Sequence, residues 1–186
     1  MIVPASDDEA AQFLGDANAL CPACGAPLGG RAGCQTAFDA LCARVWEAPE
    51  RGAAHNLAVD AYCLQHPEDY CVSAKSYAAH LAGLACGLAP AGAQSRYFAI
   101  ARWLDGARSL ERPTPPAERG AVTIAAVSGG GAGATYGTAV RAWAEAVWRA
   151  YAAQHALAER WLADALAAAE HAGARRTPGR SGAPAP

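Results

Sequence analysis

Apolar side chains recur every three or four residues along most of this chain, which is the spacing of helices that bury one face. The spacing predicts a short helix over residues 7–18 and longer helices over residues 34–47, 53–65, 74–88, 94–108 and 135–171. Proline follows three of these helices and ends them, because it lacks the amide proton that a helix interior requires. Alanine is abundant and is the best helix former. We therefore predict an all-α fold, a helical bundle.

Glycine and proline mark the segments that lie outside these helices. A small cysteine-rich zinc knuckle is predicted at about residues 20–34. The glycine-rich run at 128–133 is interpreted as a flexible loop, since it lacks the Gly-Lys-Ser/Thr ending of a phosphate-binding loop. Residues 173–186 are rich in proline and glycine and are predicted to be disordered. The predicted organisation is one helical domain over residues 1–172, followed by a disordered tail.

Charge and hydropathy narrow the classes of partner. The formal net charge is −2 and the sequence pI is ≈ 6.2, so the chain has no basic footprint for nucleic acid. No apolar run is long enough to predict a membrane span. The first 15 residues are acidic and do not resemble a signal peptide. We expect a cytoplasmic protein whose partner is an unidentified protein or small molecule, with no nucleic-acid or membrane partner.

Seven cysteines point to metal chemistry rather than to a disulfide framework, because their number is odd and no secretory signal is recognised. Cys21 and Cys24 are separated by two residues and followed by Gly25, which is the usual arrangement of two thiolate ligands of one tetrahedral Zn²⁺. Cys34 supplies a third sulfur. A redox dithiol is the alternative for the first pair, but the βαβ pattern of thioredoxin-like proteins is absent. The other cysteines are interpreted as small buried side chains: Cys42, Cys63, Cys71 and Cys86.

Histidines supply the candidates for the fourth zinc ligand. His55, His66 and His80 lie within 26 residues of one another, and we prefer His66 or His80 over His55. Each of them has the alternative of being an ordinary hydrogen-bonded residue. His155 lies on the aromatic stripe of the last helix, and its spacing predicts that it lines the same cleft as His66 or His80.

Two polar residues between these histidines have a possible supporting role. Asp60 and Gln65 are candidates for side chains that fix the tautomer of an imidazole. Their alternative role is to cap and solubilise the helix.

Several motifs resemble an uncharacterised bacterial family that is known only as a domain of unknown function. They are Cys-Pro-x-Cys-Gly at 21–25, Val-Asp-Ala-Tyr-x-x-Gln-His-Pro at 59–67 and a Trp-rich pattern at 143–155. This resemblance implies a fold and no activity. A looser similarity is to DinB/YfiT-like bundles, which hold a catalytic metal with three histidines. It implies that His80 and His155 occupy comparable helices, although Glu159 stands where that family has another histidine.

These observations support three hypotheses about function. The leading one is a zinc-binding helical protein of unknown activity with a closed, structural metal site. The second is a metal-dependent hydrolase or thiol transferase, in which His55, His66, His80 and His155 build an open site. The third is an adaptor that binds a protein partner.

Overall fold

The computed structural model describes residues 16–47, 52–89, 93–128 and 134–174, and these residues form eight α-helices. The helices are α1 Gly30–Glu47, α2 Gly52–Gln65, α3 Pro67–Tyr70, α4 Ala74–Leu88, α5 Ala93–Asp105, α6 Ala125–Ser128, α7 Ala134–Ala150 and α8 His155–Ala174, with a 3-10 turn at Ala152–Gln154. Within these ranges the only strand-like feature is an isolated antiparallel bridge between Leu20 and Pro27. The predicted all-α fold is confirmed.

Helix α4 lies at the centre of the bundle and contacts α2, α5, α7 and α8. Its buried face includes the small residues Ala78, Ala82 and Gly83, which allow neighbouring helices to approach closely. Its start is fixed by Ser73, whose side chain accepts a hydrogen bond from the Ser76 amide in a reciprocal capping box. The predicted start after Ser73 and end at Leu88 agree with the structure.

Large aromatic side chains hold the helices to one another. Trp143, Tyr62, Tyr77 and Tyr151 are the bulkiest of the fully buried residues. The Tyr151 hydroxyl donates to the Leu64 carbonyl at 2.5 Å and ties the end of α7 to the end of α2. Because buried phenols and indoles need hydrogen-bond partners, these residues fix orientation as well as supply apolar contact.

The long helix predicted over residues 135–171 is interrupted, which corrects the sequence interpretation. Tyr151 leaves helical geometry, and the 3-10 turn separates α7 from α8. Gln154 in this turn donates to the Thr114 carbonyl at 2.9 Å and accepts from the Tyr77 hydroxyl. The break therefore depends on contacts with distant parts of the chain, which helical periodicity cannot indicate.

Helix α1 begins earlier than the predicted residue 34, and α5 ends at Asp105 rather than at 108. Gly29, just before α1, and Gly30, its first residue, have φ of +79° and +73°, a conformation that glycine adopts without strain. Gly33 packs so closely on Leu28 that an added Cβ would lie 1.5 Å from the Leu28 carbonyl oxygen. Cys34 consequently lies within α1 and not at its first residue.

Some predictions concern residues outside the described ranges. Most of the helix predicted over 7–18 lies in residues 1–15, and residues 16–18 are not helical. The glycine-rich run lies outside the described residues except for Ser128, which ends α6. The tail predicted from residue 173 lies outside them from 175 onward, and residues 173–174 still belong to α8, which corrects its start. Among the helices that are described, none has the length and hydropathy needed to cross a membrane.

Candidate metal centre

The first two cysteines are positioned by a tight turn. The Cys21 amide donates to the Ala26 carbonyl at 2.9 Å, and the Gly25 amide donates to the Cys21 carbonyl at 2.8 Å. Gly25 has φ +76°, which closes the turn and which a residue with a side chain rarely adopts. This geometry brings the sulfurs of Cys21 and Cys24 to one side of the knuckle.

The knuckle meets two helices at a cluster of three thiols and one imidazole. Cys34 comes from α1, and His66 directly follows α2. The candidate ligand atoms of Cys21, Cys24, Cys34 and His66 all lie within 4.8 Å of one another. The His66 Nε2 is 3.5 Å from the sulfurs of both Cys21 and Cys34. The sulfurs of Cys24 and Cys34 lie 3.7 Å from each other.

These separations match the edges of a tetrahedral zinc site. With Zn–S of about 2.3 Å and Zn–N of about 2.05 Å, tetrahedral angles give S···S edges of about 3.8 Å and S···N edges of about 3.6 Å. The observed 3.7 Å and 3.5 Å agree with both values. With all four ligand atoms within 4.8 Å of one another, the geometry of the cluster is compatible with a metal ion at its centre.

His66 presents its Nε2 lone pair to the thiols because its other nitrogen is already used. The Nδ1–H donates to the Tyr62 carbonyl at 2.8 Å, one helical turn earlier. The imidazole is fully buried, and its ring lies against that of Tyr62 with centroids 4.0 Å apart. Phe38 of α1 stacks on the opposite face of Tyr62 at 3.8 Å. Such second contacts fix both the tautomer and the ring plane of a ligand histidine.

The thiols already share their protons unequally. The hydrogen bond from the Cys34 thiol lowers the pKa of Cys24 to about 4, and a bond from the Ala26 amide acts in the same direction. That same hydrogen bond, together with burial, raises the pKa of Cys34. A bound cation would take the place of the shared proton, because thiolates are the ligands of Zn²⁺.

Burial distinguishes one member of the cluster from the rest. Cys21, Cys34 and His66 are buried, whereas Cys24 is half-buried. Cys24 borders a cleft of ≈ 740 Å³ whose other walls come from the segment 116–121 and from α7. The cluster is thus closed on three sides and approaches the surface only at Cys24.

Gln35, which the sequence interpretation missed, holds the helices around the cluster. Its side-chain oxygen accepts from the hydroxyl of Tyr70 at 2.7 Å and from that of Tyr62 at 3.4 Å. A glutamine directly after a ligand cysteine is the only sequence signal for this role. Its contacts join α1 to α2 and α3.

The structure brings His66, and neither of the other two candidates, to the three cysteines. His80 instead donates from Nδ1 to the Asp60 carboxylate at 2.9 Å. His55 lies in the first turn of α2, and its Nδ1 is buried with no hydrogen-bond partner among the described residues. The metal-ligand roles predicted for His80 and His55 receive no support from this placement.

The predicted position of His155 is corrected. Its ring stacks on Trp148 with centroids 3.8 Å apart, and its Nε2–H donates to the Trp148 carbonyl at 2.8 Å. Among the described residues it contacts neither His66 nor the cavity that His80 lines. The 3-10 turn before His155 interrupts the α-helix, so the residue spacing that defines the aromatic stripe of α7 does not continue in register into α8.

Neither of the two proposed supporting residues is found on the imidazole of the metal cluster, and Asp60 instead pairs with a histidine outside it. Asp60 fixes the Nδ1 tautomer of an imidazole, that of His80. Gln65 has another function, because its amide donates to the carbonyls of Arg119 and Val122 and its oxygen accepts from the Trp143 indole. It anchors the connector after α5 beside the metal cluster.

Comparison with known proteins adds a family and no activity. The family described as "Family of unknown function (DUF5946)" matches residues 19–152, a range that contains all four clustered side chains. No curated protein and no solved structure matches the chain. The match confirms the resemblance to an uncharacterised family, while similarity to DinB/YfiT-like bundles stays a prediction.

Proposed function

The chain belongs to this family of unknown function, and we propose from the cluster itself that it is a zinc protein whose metal is structural. The observation that carries the proposal is the Cys₃His set, whose ligand atoms lie within 4.8 Å of one another. Three thiolates and one imidazole in tetrahedral arrangement are typical of structural Zn²⁺. The zinc would join the knuckle, α1 and the end of α2.

A structural role follows from the number and burial of the ligands. Four protein atoms complete a tetrahedron and leave no position for water or substrate, whereas catalytic zinc usually keeps one position open. Three of the four side chains are also buried. Because such a site does not exist in the unfolded chain, the free energy of metal binding would add directly to folding.

The enzyme hypothesis would require a different convergence of histidines. It needs His55, His66, His80 and His155 around one metal. His66, His80 and His155 instead have three separate hydrogen-bond partners, and the buried His55 Nδ1 has none among the described residues. Exchangeable water and nitrogen or oxygen ligands would be its signature. We therefore favour a zinc-stabilised helical scaffold.

Metal analysis and X-ray absorption on the purified full-length protein test the proposal. We expect one zinc per chain, with three sulfurs at about 2.3 Å and one nitrogen at about 2.0–2.1 Å. Replacement of Cys24 by Ser should remove the zinc and lower the thermal midpoint, since a structural metal is linked to folding.

Cys42→Ala is the matched control, because Cys42 is also a half-buried cysteine and lies outside the cluster. It should keep one zinc and nearly the original midpoint. Retention of one zinc by Cys24→Ser with unchanged melting, or a first shell dominated by oxygen, would contradict the proposal.

A further inference from the structure

A second polar group lies buried between α2, α4 and α5, away from the cysteines. It borders a cavity of ≈ 320 Å³ whose walls are mainly apolar and include Val59, Ile100 and Leu104. His80 and Tyr97 are among the polar side chains at its wall. Small-molecule sites commonly combine such an apolar lining with a few fixed polar groups.

Asp60 organises these polar groups. Asp60 is buried, with 6% of the residue exposed. One carboxylate oxygen accepts a hydrogen bond from His80 Nδ1–H at 2.9 Å, and the other accepts one from the Tyr97 hydroxyl at 3.2 Å. Both carboxylate oxygens are therefore engaged by the protein. Asp60 orients the imidazole, while the imidazole itself borders the cavity.

Two glycines of α4 make room for this arrangement. A Cβ at Gly83 would lie 2.4 Å from an Asp60 carboxylate oxygen, and a Cβ at Gly87 would lie 2.7 Å from the Tyr97 hydroxyl. Glycine inside a helix is less favourable than alanine. A buried carboxylate is also costly unless it is fully paired. Helical glycines that fit closely around a buried carboxylate combine two destabilising features at one place. Such a combination is typical of a functional site rather than of a core built for stability.

The tautomer of His80 determines what it can recognise. When the neutral imidazole donates a hydrogen bond from Nδ1 to the Asp60 carboxylate, Nε2 carries a lone pair and accepts a hydrogen bond. Nε2 has no hydrogen-bond partner in the part of the chain that the structure describes. The His80 side chain is 21% exposed, and His80 lines the cavity.

We propose that this cavity binds a small, mainly apolar molecule carrying one hydroxyl group, which donates a hydrogen bond to His80 Nε2. Phe98 supports the apolar part of this description, because it is a large apolar residue that is 62% exposed and borders the cavity. The proposal is independent of the metal centre, since no cluster residue lines this cavity.

The hydroxyl requirement is tested with two probes that differ in a single group. Binding of 2-naphthol and of 2-methoxynaphthalene to the zinc-loaded full chain is measured by NMR titration of backbone and methyl signals. We expect 2-naphthol to bind about tenfold more tightly, the ratio for a hydrogen bond of about 1.4 kcal/mol. The protein signals that shift on binding should centre on Val59, Ile100 and Ala101. The nitrogen-15 chemical shift of His80 Nε2 should also change, because that nitrogen accepts a hydrogen bond from the hydroxyl group of the probe.

His80→Phe removes the acceptor and keeps a ring of similar size, so the preference for 2-naphthol should disappear. His155→Phe is the matched control, because His155 is a stacked imidazole outside the cavity, and it should retain the preference. The proposal is overturned by equal affinity of the two probes for the wild-type protein, by binding of neither, or by shifts centred elsewhere. These outcomes need no variant, so they remain decisive even if His80→Phe does not fold.

Discussion

His66, buried at the end of α2, and His80, half-buried in α4, use the same tautomer for different purposes. His66 donates from Nδ1 to a backbone carbonyl and directs Nε2 at the sulfurs of a closed cluster. His80 donates from Nδ1 to the Asp60 carboxylate and borders an open, largely apolar cavity. In both cases the partner of Nδ1 fixes the ring, and the surroundings of Nε2 decide which chemistry is available.

The partner of Nδ1 also sets how each region responds to its environment. A carbonyl cannot ionise, so the orientation of His66 does not depend on a titrating partner. Asp60 can ionise, and burial raises its pKa while the hydrogen bonds from His80 and Tyr97 oppose the rise. The metal cluster around His66 is therefore suited to a permanent structural contact, and the cavity beside His80 is suited to a ligand that exchanges.

The largest effect that distinguishes the two regions should come from removing each imidazole in turn. His66→Ala should lower zinc affinity by more than about 100-fold, above the range found for outer-shell partners of metals. At free zinc about 100-fold above the Kd, loss of the metal would remove about 2.7 kcal/mol of stability. His80→Ala should keep one zinc per chain. Metal analysis and thermal unfolding measure both, and equal zinc loss in the two variants would refute the separation of the regions.

A smaller effect is expected from filling the space beside Asp60. Gly83→Ala places a methyl group 2.4 Å from the carboxylate and should destabilise the fold by about 1–3 kcal/mol, the usual cost of overpacking. Gly137→Ala in α7 is the control, because nothing lies within 4 Å of its added Cβ. It should stabilise the protein by up to about 1 kcal/mol. Denaturant unfolding of the zinc-loaded proteins checks the pair, and a neutral Gly83→Ala would mean that the carboxylate moves freely.

The smallest effect is the dependence of stability on pH that Asp60 contributes in the cavity region. Burial raises the pKa of Asp60 above its ordinary value of 3.8, so the folded state holds this proton more tightly than the unfolded state. Its contribution to stability is present below 3.8 and is lost as pH rises through the folded pKa.

Comparison with Asp60→Asn isolates this contribution, because both proteins keep the same metal ligands. The stability of the wild type relative to the variant should fall as pH rises from 3.8 toward neutrality. Unfolding measured across this range tests the sign, and a relative stability that rises with pH would contradict it.

The helices could be read from the sequence because their signals are local. Ser73 and the proline after Leu88 bound α4 through capping and the loss of an amide donor, and both act within one turn. The break between α7 and α8 could not be predicted in this way. It depends on Gln154 reaching Thr114 and Tyr77, which are far away in the sequence.

The metal cluster and the cavity region also combine features that local sequence determines with features that depend on tertiary contacts. The sequence by itself determined the knuckle, because Cys21, Cys24 and Gly25 form one turn whose geometry follows from their spacing and from the φ of glycine. Only the tertiary structure decided which histidine joins the cysteines and which joins Asp60. That choice depends on the packing of α2 against α1 and α4, where distances of a few ångströms between remote residues decide the contact.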